Sequence, residues 1–183
     1  FENNDWSPLG ANPLPEFGWN TRDPDWNFGK NMNLFYDTSY NRLTVLTSMD
    51  HDGTSGTDAN YVIWSWQGNY WLKRTDASIP IEGGEKTMRT AIAQGYKAII
   101  GMPDATVGGT GRKGFVRVFG DGDGQIGSDI VGYGGNDRFG ATVAINLTGT
   151  IIAVGNGAPA WTGGSSVHNG YYDATRSYVR VFE

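Results

Sequence analysis

Short runs in which apolar or aromatic residues alternate with polar ones predict β-strands along this chain. The clearest run is Tyr-Val-Arg-Val-Phe at 178–182, where alternate side chains would face opposite sides of a sheet. The runs 141–145 and 150–154 flank the short polar segment 146–149, which predicts a hairpin. A weaker strand is predicted over 125–130. No window spaces apolar residues at i, i+3, i+4 and i+7, so we expect almost no helix.

The strand at 178–183, Tyr-Val-Arg-Val-Phe-Glu, recurs. Residues 115–120 read Phe-Val-Arg-Val-Phe-Gly, and a looser copy, Tyr-Val-Ile-Trp-Ser-Trp, stands at 61–66. The last large aromatics of the copies, Trp66, Phe119 and Phe182, serve as markers. The opening pair Phe1 and Glu2 resembles the end of a further copy, as in an excerpt or processed piece of something longer. A repeated strand of this kind predicts a repeat architecture.

When the marker aromatics are aligned, other segments of the three copies also match. Phe-Gly at 28–29 matches Phe-Gly at 139–140, and Thr-Met at 87–88 occupies that slot between them. Paired apolar runs follow at 31–46, 90–100 and 142–154. The sequence therefore predicts three units, 1–66, 67–119 and 120–183. The first unit is degenerate and carries an insertion at 11–27.

Composition narrows the classes of function. The 14 Lys and Arg against 19 Asp and Glu give a net charge of −5, which argues against a nucleic-acid partner because such a partner needs a basic face. No apolar stretch reaches about 18 residues, so no membrane span is predicted. The absence of cysteine excludes disulfides, thiol catalysis and cysteine metal sites. It leaves cytosolic and extracellular locations both open.

Three segments together resemble the FG-GAP repeats, the blades of integrin-α-type β-propellers. They are Asp-Arg-Phe-Gly at 137–140, Thr-Gly-Thr-Ile-Ile-Ala-Val-Gly at 148–155, and the strand at 178–183. The variant most similar to them is common in large secreted and surface proteins of algae and other protists. The resemblance implies an all-β fold of three tandem four-stranded antiparallel propeller-type blades.

Three blades do not close a ring, because known closed propellers use about four to eight. We therefore expect the blades to belong to a larger propeller or assembly. Further blades in a longer chain, association of copies, and a stack within a filament all remain open.

The function implied is that of a non-enzymatic structural or adhesive module of a secreted or cell-surface protein. It would act through protein–protein packing, by self-association or with the rest of a longer chain, in an extracellular filament or appendage. The alternative is a ligand-binding propeller for carbohydrate-dependent or calcium-dependent adhesion. No catalytic residues are assigned, because the two histidines, His51 and His168, lie in different units and no nucleophile elbow or phosphate loop occurs.

Two acidic segments are candidate calcium sites, because carboxylates at alternate positions before a glycine can wrap a hard cation. Their members are Asp50, Asp52 and Asp58, and Asp121, Asp123 and Asp129. Solvated Asp-Gly turns are the other interpretation. The calcium loop of integrin-type blades precedes the strand that ends in Val-Gly, whereas here 50–58 follows that strand and 121–123 lies in the connection between blades. The resemblance therefore does not carry that calcium site over, and no cofactor is assigned.

Asn146, in the sequon Asn-Leu-Thr, is the candidate glycosylation site, and its position in a predicted turn would let a glycan project. A plain turn asparagine is the other interpretation. Five aromatics in predicted loops are candidates for a protein interface or for stacking on sugars. They are Trp19, Trp26, Trp161, Tyr171 and Tyr172. Packing within the subunit would also explain them.

Overall fold

A computed structural model describes residues 26–51, 58–80, 87–121, 124–157 and 177–183. Within these ranges the chain forms three antiparallel sheets of four, four and three strands, with one short 3-10 turn at Gln94–Tyr96. The predictions of an all-β fold and of almost no helix are confirmed for this part of the chain.

Each sheet is a meander, because strands that are consecutive in the chain are neighbours in the sheet. The first sheet contains β1 (Trp26–Asp37), β2 (Arg42–His51), β3 (Asp58–Trp66) and β4 (Trp71–Pro80). The second contains β5 (Arg89–Ile92), β6 (Ala98–Met102), β7 (Phe115–Phe119) and β8 (Gln125–Val131). The third contains β9 (Phe139–Ile145), β10 (Ile152–Asn156) and β11 (Val179–Phe182).

The strand that recurs in the sequence forms the third strand of every sheet. The marker aromatics Trp66, Phe119 and Phe182 are the last residues of β3, β7 and β11. The predicted hairpin is confirmed as β9 and β10, and the weaker strand is present as β8. Four strands per unit hold for the first two sheets, whereas the described residues of the third form three.

The sheets do not end at the limits of the predicted units. In the first two sheets a fourth strand follows the marker aromatic, so β4 and β8 lie beyond residues 66 and 119. The unit limits 1–66, 67–119 and 120–183 describe the repetition in the sequence, and they stay a prediction.

The largest apolar core lies between the first and second sheets. Leu46 and Ile63 pair across β2 and β3 and face the second sheet, where Ile100, Met102 and Phe119 meet them. All five are almost completely buried. Each such side chain contributes about 1.5–3 kcal/mol by leaving water, so this contact is a main source of stability.

A second core lies between the second and third sheets. Ile99 and Val116, on the other face of the second sheet, pack in one cluster with Phe139, Ile152 and Val154. The second sheet is therefore covered on both faces. This accounts for the uninterrupted run Ala-Ile-Ile-Gly-Met of β6, in which every residue is buried. Alternation of apolar and polar residues is expected only where one face meets water.

The backbones of β6 and β9 approach each other closely at two glycines. A Cβ atom added to Gly101 would lie 2.2 Å from the carbonyl oxygen of Gly140, which leaves no room for a side chain. Gly140 itself has φ of 92°, a left-handed conformation that suits glycine. The close approach of the two strands therefore requires glycine at both positions.

The corresponding contact between the first two sheets is filled by side chains. Ile63 and Val116 are equivalent, because each lies three residues before the marker aromatic of its sheet. Leu46 pairs with Ile63 and Gly101 pairs with Val116, so Leu46 occupies the position that Gly101 has in the second sheet. Leu46 and Met88 are both fully buried members of the same cluster. The two inter-sheet contacts thus have different shapes, one with large side chains and one with bare backbone.

We expect Gly101→Ala to lower the free energy of unfolding by about 1–3 kcal/mol, because the added methyl must displace the backbone of β9. Urea unfolding followed by circular dichroism measures this change. Gly155→Ala is the matched control. Gly155 holds the same position in β10, and the nearest atom to its added Cβ is a side-chain carbon of Thr142 at 3.5 Å, an ordinary contact. Equal losses in the two variants would contradict the steric explanation.

Candidate interaction surfaces

Asp137, in the motif Asp-Arg-Phe-Gly, fixes the start of the strand β11. One carboxylate oxygen accepts hydrogen bonds from the backbone N–H of Tyr133, at 2.9 Å, and from the hydroxyl of Tyr178. The other accepts from the amide Nδ2 of Asn156 at 3.2 Å, and Asn156 in turn accepts from the N–H of Tyr178 at 2.8 Å. Burial and the hydrogen bond to Asp137 raise the pKa of the Tyr178 hydroxyl above its usual range.

Arg180, in β11, connects the third sheet to the second. Its guanidinium lies over the rings of Tyr133, Phe139 and Phe182, at 5.0, 5.1 and 4.8 Å from their centroids. It also donates a hydrogen bond to the carbonyl oxygen of Val131 in β8, at 3.1 Å. Cation–π contacts and a backbone acceptor thus satisfy a half-buried charge at the edge of this interface.

A buried ion pair supports the same interface. Asp104, which follows β6 and is almost fully buried, accepts hydrogen bonds from the guanidinium of Arg138, just before β9, at 2.8 and 2.6 Å. Loss of Arg138 would be costly, because the buried carboxylate of Asp104 would keep only the longer contact with Arg112, at 4.0 Å.

Polar side chains also connect the first and second sheets. Asp37 is fully buried, and its carboxylate accepts from the N–H of Ser39 in its own turn and from the N–H of Gly95, both at 2.9 Å. Beside it, the rings of Tyr40 and Tyr96 stack with centroids 4.7 Å apart. The turn after β1 is therefore fixed against the 3-10 turn of the second sheet.

Asn146 lies in the turn between β9 and β10, as predicted. Its side-chain oxygen accepts from the N–H groups of Thr150 and Ile151 at 2.8 and 3.0 Å, and its Nδ2 donates to the exposed hydroxyls of Thr148 and Thr150. The turn asparagine therefore organises the loop. The same Nδ2 is the atom to which a glycan would be attached.

The acidic candidates are engaged in other contacts or lie outside the described side chains. Asp129 forms a two-pronged ion pair with Arg117, with distances of 2.7 and 2.6 Å. Asp121 accepts from the hydroxyl of Tyr40 at 3.1 Å, a bond that raises the pKa of this tyrosine. For Asp50 and Asp58 the structure describes only the backbone, in β2 and β3.

Asp52 and Asp123 lie outside the described residues. In the part of the chain that the structure describes, no three acidic or histidine side chains come close enough to hold a metal ion. The calcium hypothesis at the two segments stays a prediction.

The candidate aromatics are not brought together in the described residues. Trp19, Trp161, Tyr171 and Tyr172 lie outside them, and Trp26 is the first residue of β1, with only its backbone described. Their assignment to an interface or to sugar binding stays a prediction.

Two exposed surfaces at opposite ends of the three-sheet array are candidate sites for a partner. We call the first the outer face of the third sheet; it turns away from the second sheet and consists of Thr142, Ala144, Ala153, Gly155, Val179 and Val181. Within it Gly155 is buried and Ala153 is half-buried, whereas the other four residues are exposed. We call the second the outer row of β1; it consists of Met32, Leu34 and Tyr36 and turns away from the second sheet. Neither contains a charged side chain. From the sequence pattern alone, these exposed residues could not be distinguished from buried ones.

Comparisons of the chain with protein-family models, with curated proteins and with solved structures find no match. The resemblance to FG-GAP repeats therefore rests on the motifs quoted above. None of the helical segments in the described ranges has the length and apolar character required to cross a membrane.

The raised pKa of Tyr178 leads to a prediction about alkaline stability. The folded state prefers the neutral phenol, so the stability that this group contributes is fully present below the unfolded pKa of about 10 and is lost as the pH rises above it. We expect Tyr178→Phe to destabilise the protein by about 1 kcal/mol at pH 8. Urea unfolding of both proteins from pH 8 to 11 should show this difference shrinking, and a constant difference would contradict the assignment.

Proposed function

We propose that this chain is a non-enzymatic structural or adhesive module of a secreted or cell-surface protein. Its sheets are propeller-type blades of the FG-GAP kind, and it acts through protein–protein packing in an extracellular filament or appendage. The observation that carries this proposal is the way in which each sheet buries its apolar face against the next sheet.

The order of the contacts supports a repeating arrangement of blades. The first strand of the second sheet, β5, packs on β1 and β2, and the first strand of the third sheet, β9, packs on β5 and β6. The same relation thus occurs twice, as expected if one operation relates each unit to the next. Units related in this way bury a continuous core by stacking and leave apolar faces at the two ends of the array.

The polar contacts favour packing over chemistry. Four buried or half-buried charges of the described residues, Asp37, Asp104, Arg138 and Arg180, are directed at neighbouring sheets and satisfied there. A catalytic site would need such groups to converge on a cleft with room for a substrate. Charges used to fix one sheet against another are what a structural module requires.

The location of the native protein tests this proposal. Antibodies raised against the chain should label the cells that produce it without permeabilisation, and gold labelling should place the antigen on an extracellular structure. Labelling only after permeabilisation would overturn the proposal. Binding to a glycan array, or binding that requires calcium and is lost with a chelator, would instead favour the ligand-binding propeller.

Asn146 provides a second test of a secretory route. When the chain passes through a eukaryotic secretory pathway, we expect Asn146 to carry a glycan, because its turn is exposed at Leu147 and Thr148. Removal of glycans should then lower the mass of the protein. Thr148→Ala should abolish the difference, and Thr148→Ser should retain it, because serine preserves the sequon. An unmodified Asn146 in secreted protein would contradict this expectation.

A further inference from the structure

The two exposed surfaces correspond to the two sides of a contact that is already formed inside the chain. Counted back from the marker aromatics, Val179 of β11 corresponds to Val116 of β7. In the same way, Leu34 of β1 corresponds to Val143 of β9. Leu34 pairs with Val45 in the second strand of the first sheet, and Val143 pairs with Val154, the equivalent residue in the second strand of the third sheet. Val116 and Val143 belong to one cluster between the second and third sheets.

Exposure separates the inner copies of these positions from the outer ones. Val116 is completely buried, whereas its counterpart Val179 is 67% exposed. Leu34 is 67% exposed, although its counterpart Val143 is packed against the second core. The third sheet therefore presents one half of such an interface, and the first sheet presents the other half in β1 only, because Val45, the counterpart of Val154, is already buried.

The glycines repeat this relation. Gly155 holds the position in β10 that Gly101 holds in β6, but among the described residues no following sheet approaches it as Gly140 approaches Gly101. Gly29 is the counterpart of Gly140, because both follow a phenylalanine and both have positive φ. At these glycines β1 and β9 each also contain two residues more than the strand with which they pair. A Cβ atom added to Gly29 would meet nothing within 4 Å. Gly29 is exposed and thus has room for a partner backbone, whereas Gly155 is buried and has only ordinary contacts around the position of an added Cβ.

We infer that the outer face of the third sheet binds the outer row of β1 of a second copy of this chain. The surfaces are complementary in size, because threonine, alanine and glycine would receive the larger methionine, leucine and tyrosine. Val45, Val62 and Trp64, on the same face as the outer row, are already buried, so β1 supplies the contact. The inference rests on the proposed function and specifies its partner.

This contact is heterologous, since it joins different surfaces of two identical chains. Repetition of one heterologous contact gives a closed ring if the rotation closes and a filament if it does not. Two copies would supply six sheets, which lies within the range of about four to eight blades in closed propellers. Both assemblies use the same pair of surfaces.

Sedimentation velocity of the 183-residue chain over a wide concentration range tests the contact. Val179→Lys and Leu34→Lys each place a charge in one half of the interface, and each should weaken self-association by at least about tenfold. Leu147→Lys is the control, because Leu147 is an exposed apolar residue in the β9–β10 turn, outside both surfaces. It should associate like the unmodified chain.

Mixing the two charged variants tests the head-to-tail arrangement directly. Val179→Lys retains an intact outer row of β1, and Leu34→Lys retains an intact outer face of the third sheet. At a concentration at which each variant alone is monomeric, the mixture should therefore form a one-to-one dimer that grows no further. A contact between identical surfaces would not be restored by mixing, so failure to form this dimer would overturn the inference.

Gly155→Ala adds a variant that keeps the fold, since its methyl has room within the monomer. It should weaken association without lowering the free energy of unfolding. A chain that stays monomeric at every concentration would overturn the inference and would leave the faces to a neighbouring unit of a longer chain. Association that none of these variants changes would also overturn it. Neither result affects the antibody test, so the proposed function can stand or fail separately.

Discussion

Face-to-face burial between successive sheets is the constraint on which the rest of this structure depends. A meander of three or four strands has two faces, and its own hydrogen bonds satisfy the backbone without covering either of them. In the part of the chain that the structure describes, only the second sheet has both faces covered by other sheets, through Leu46 and Ile63 on one side and Phe139 and Val154 on the other. The apolar strand β6 is stable in water because of this double cover.

Polar contacts give the sheets their register. The hydrophobic effect is not directional, whereas a buried carboxylate requires hydrogen-bond donors at fixed positions. Asp37 is paired with the backbone of Gly95, and Asp104 is paired with Arg138. Each contact joins one sheet to a turn or strand start of the next. The hydrophobic effect thus supplies the stability of the array, and these pairs select one arrangement of it.

The sequence predicted the local structure well and the contacts between sheets less well. The alternation at 178–182 and its copies predicted the third strand of each sheet, because period-two patterning reports which side chains face a core. The positions of Asp37 and Asp104 gave no such signal, since their partners are far away in the chain and appear only after the sheets pack. Asp137 and Arg180 lay in quoted motifs, yet their partners could not be read from them. The fourth strands were displaced in phase because a repeat pattern fixes a period and leaves its starting point free.

The different filling of the two inter-sheet contacts has a consequence for how the chain avoids misfolding. Tandem units with similar sequences tend to exchange partners with one another, and misassembly of this kind is a characteristic failure of repeat proteins. Here the bulky pair Leu46 and Met88 would clash in a contact made for two bare glycines, and glycines would leave a void in the other. The shapes of the two inter-sheet contacts therefore specify the order of the units along the chain. An array in which units had exchanged places would be less stable at each contact.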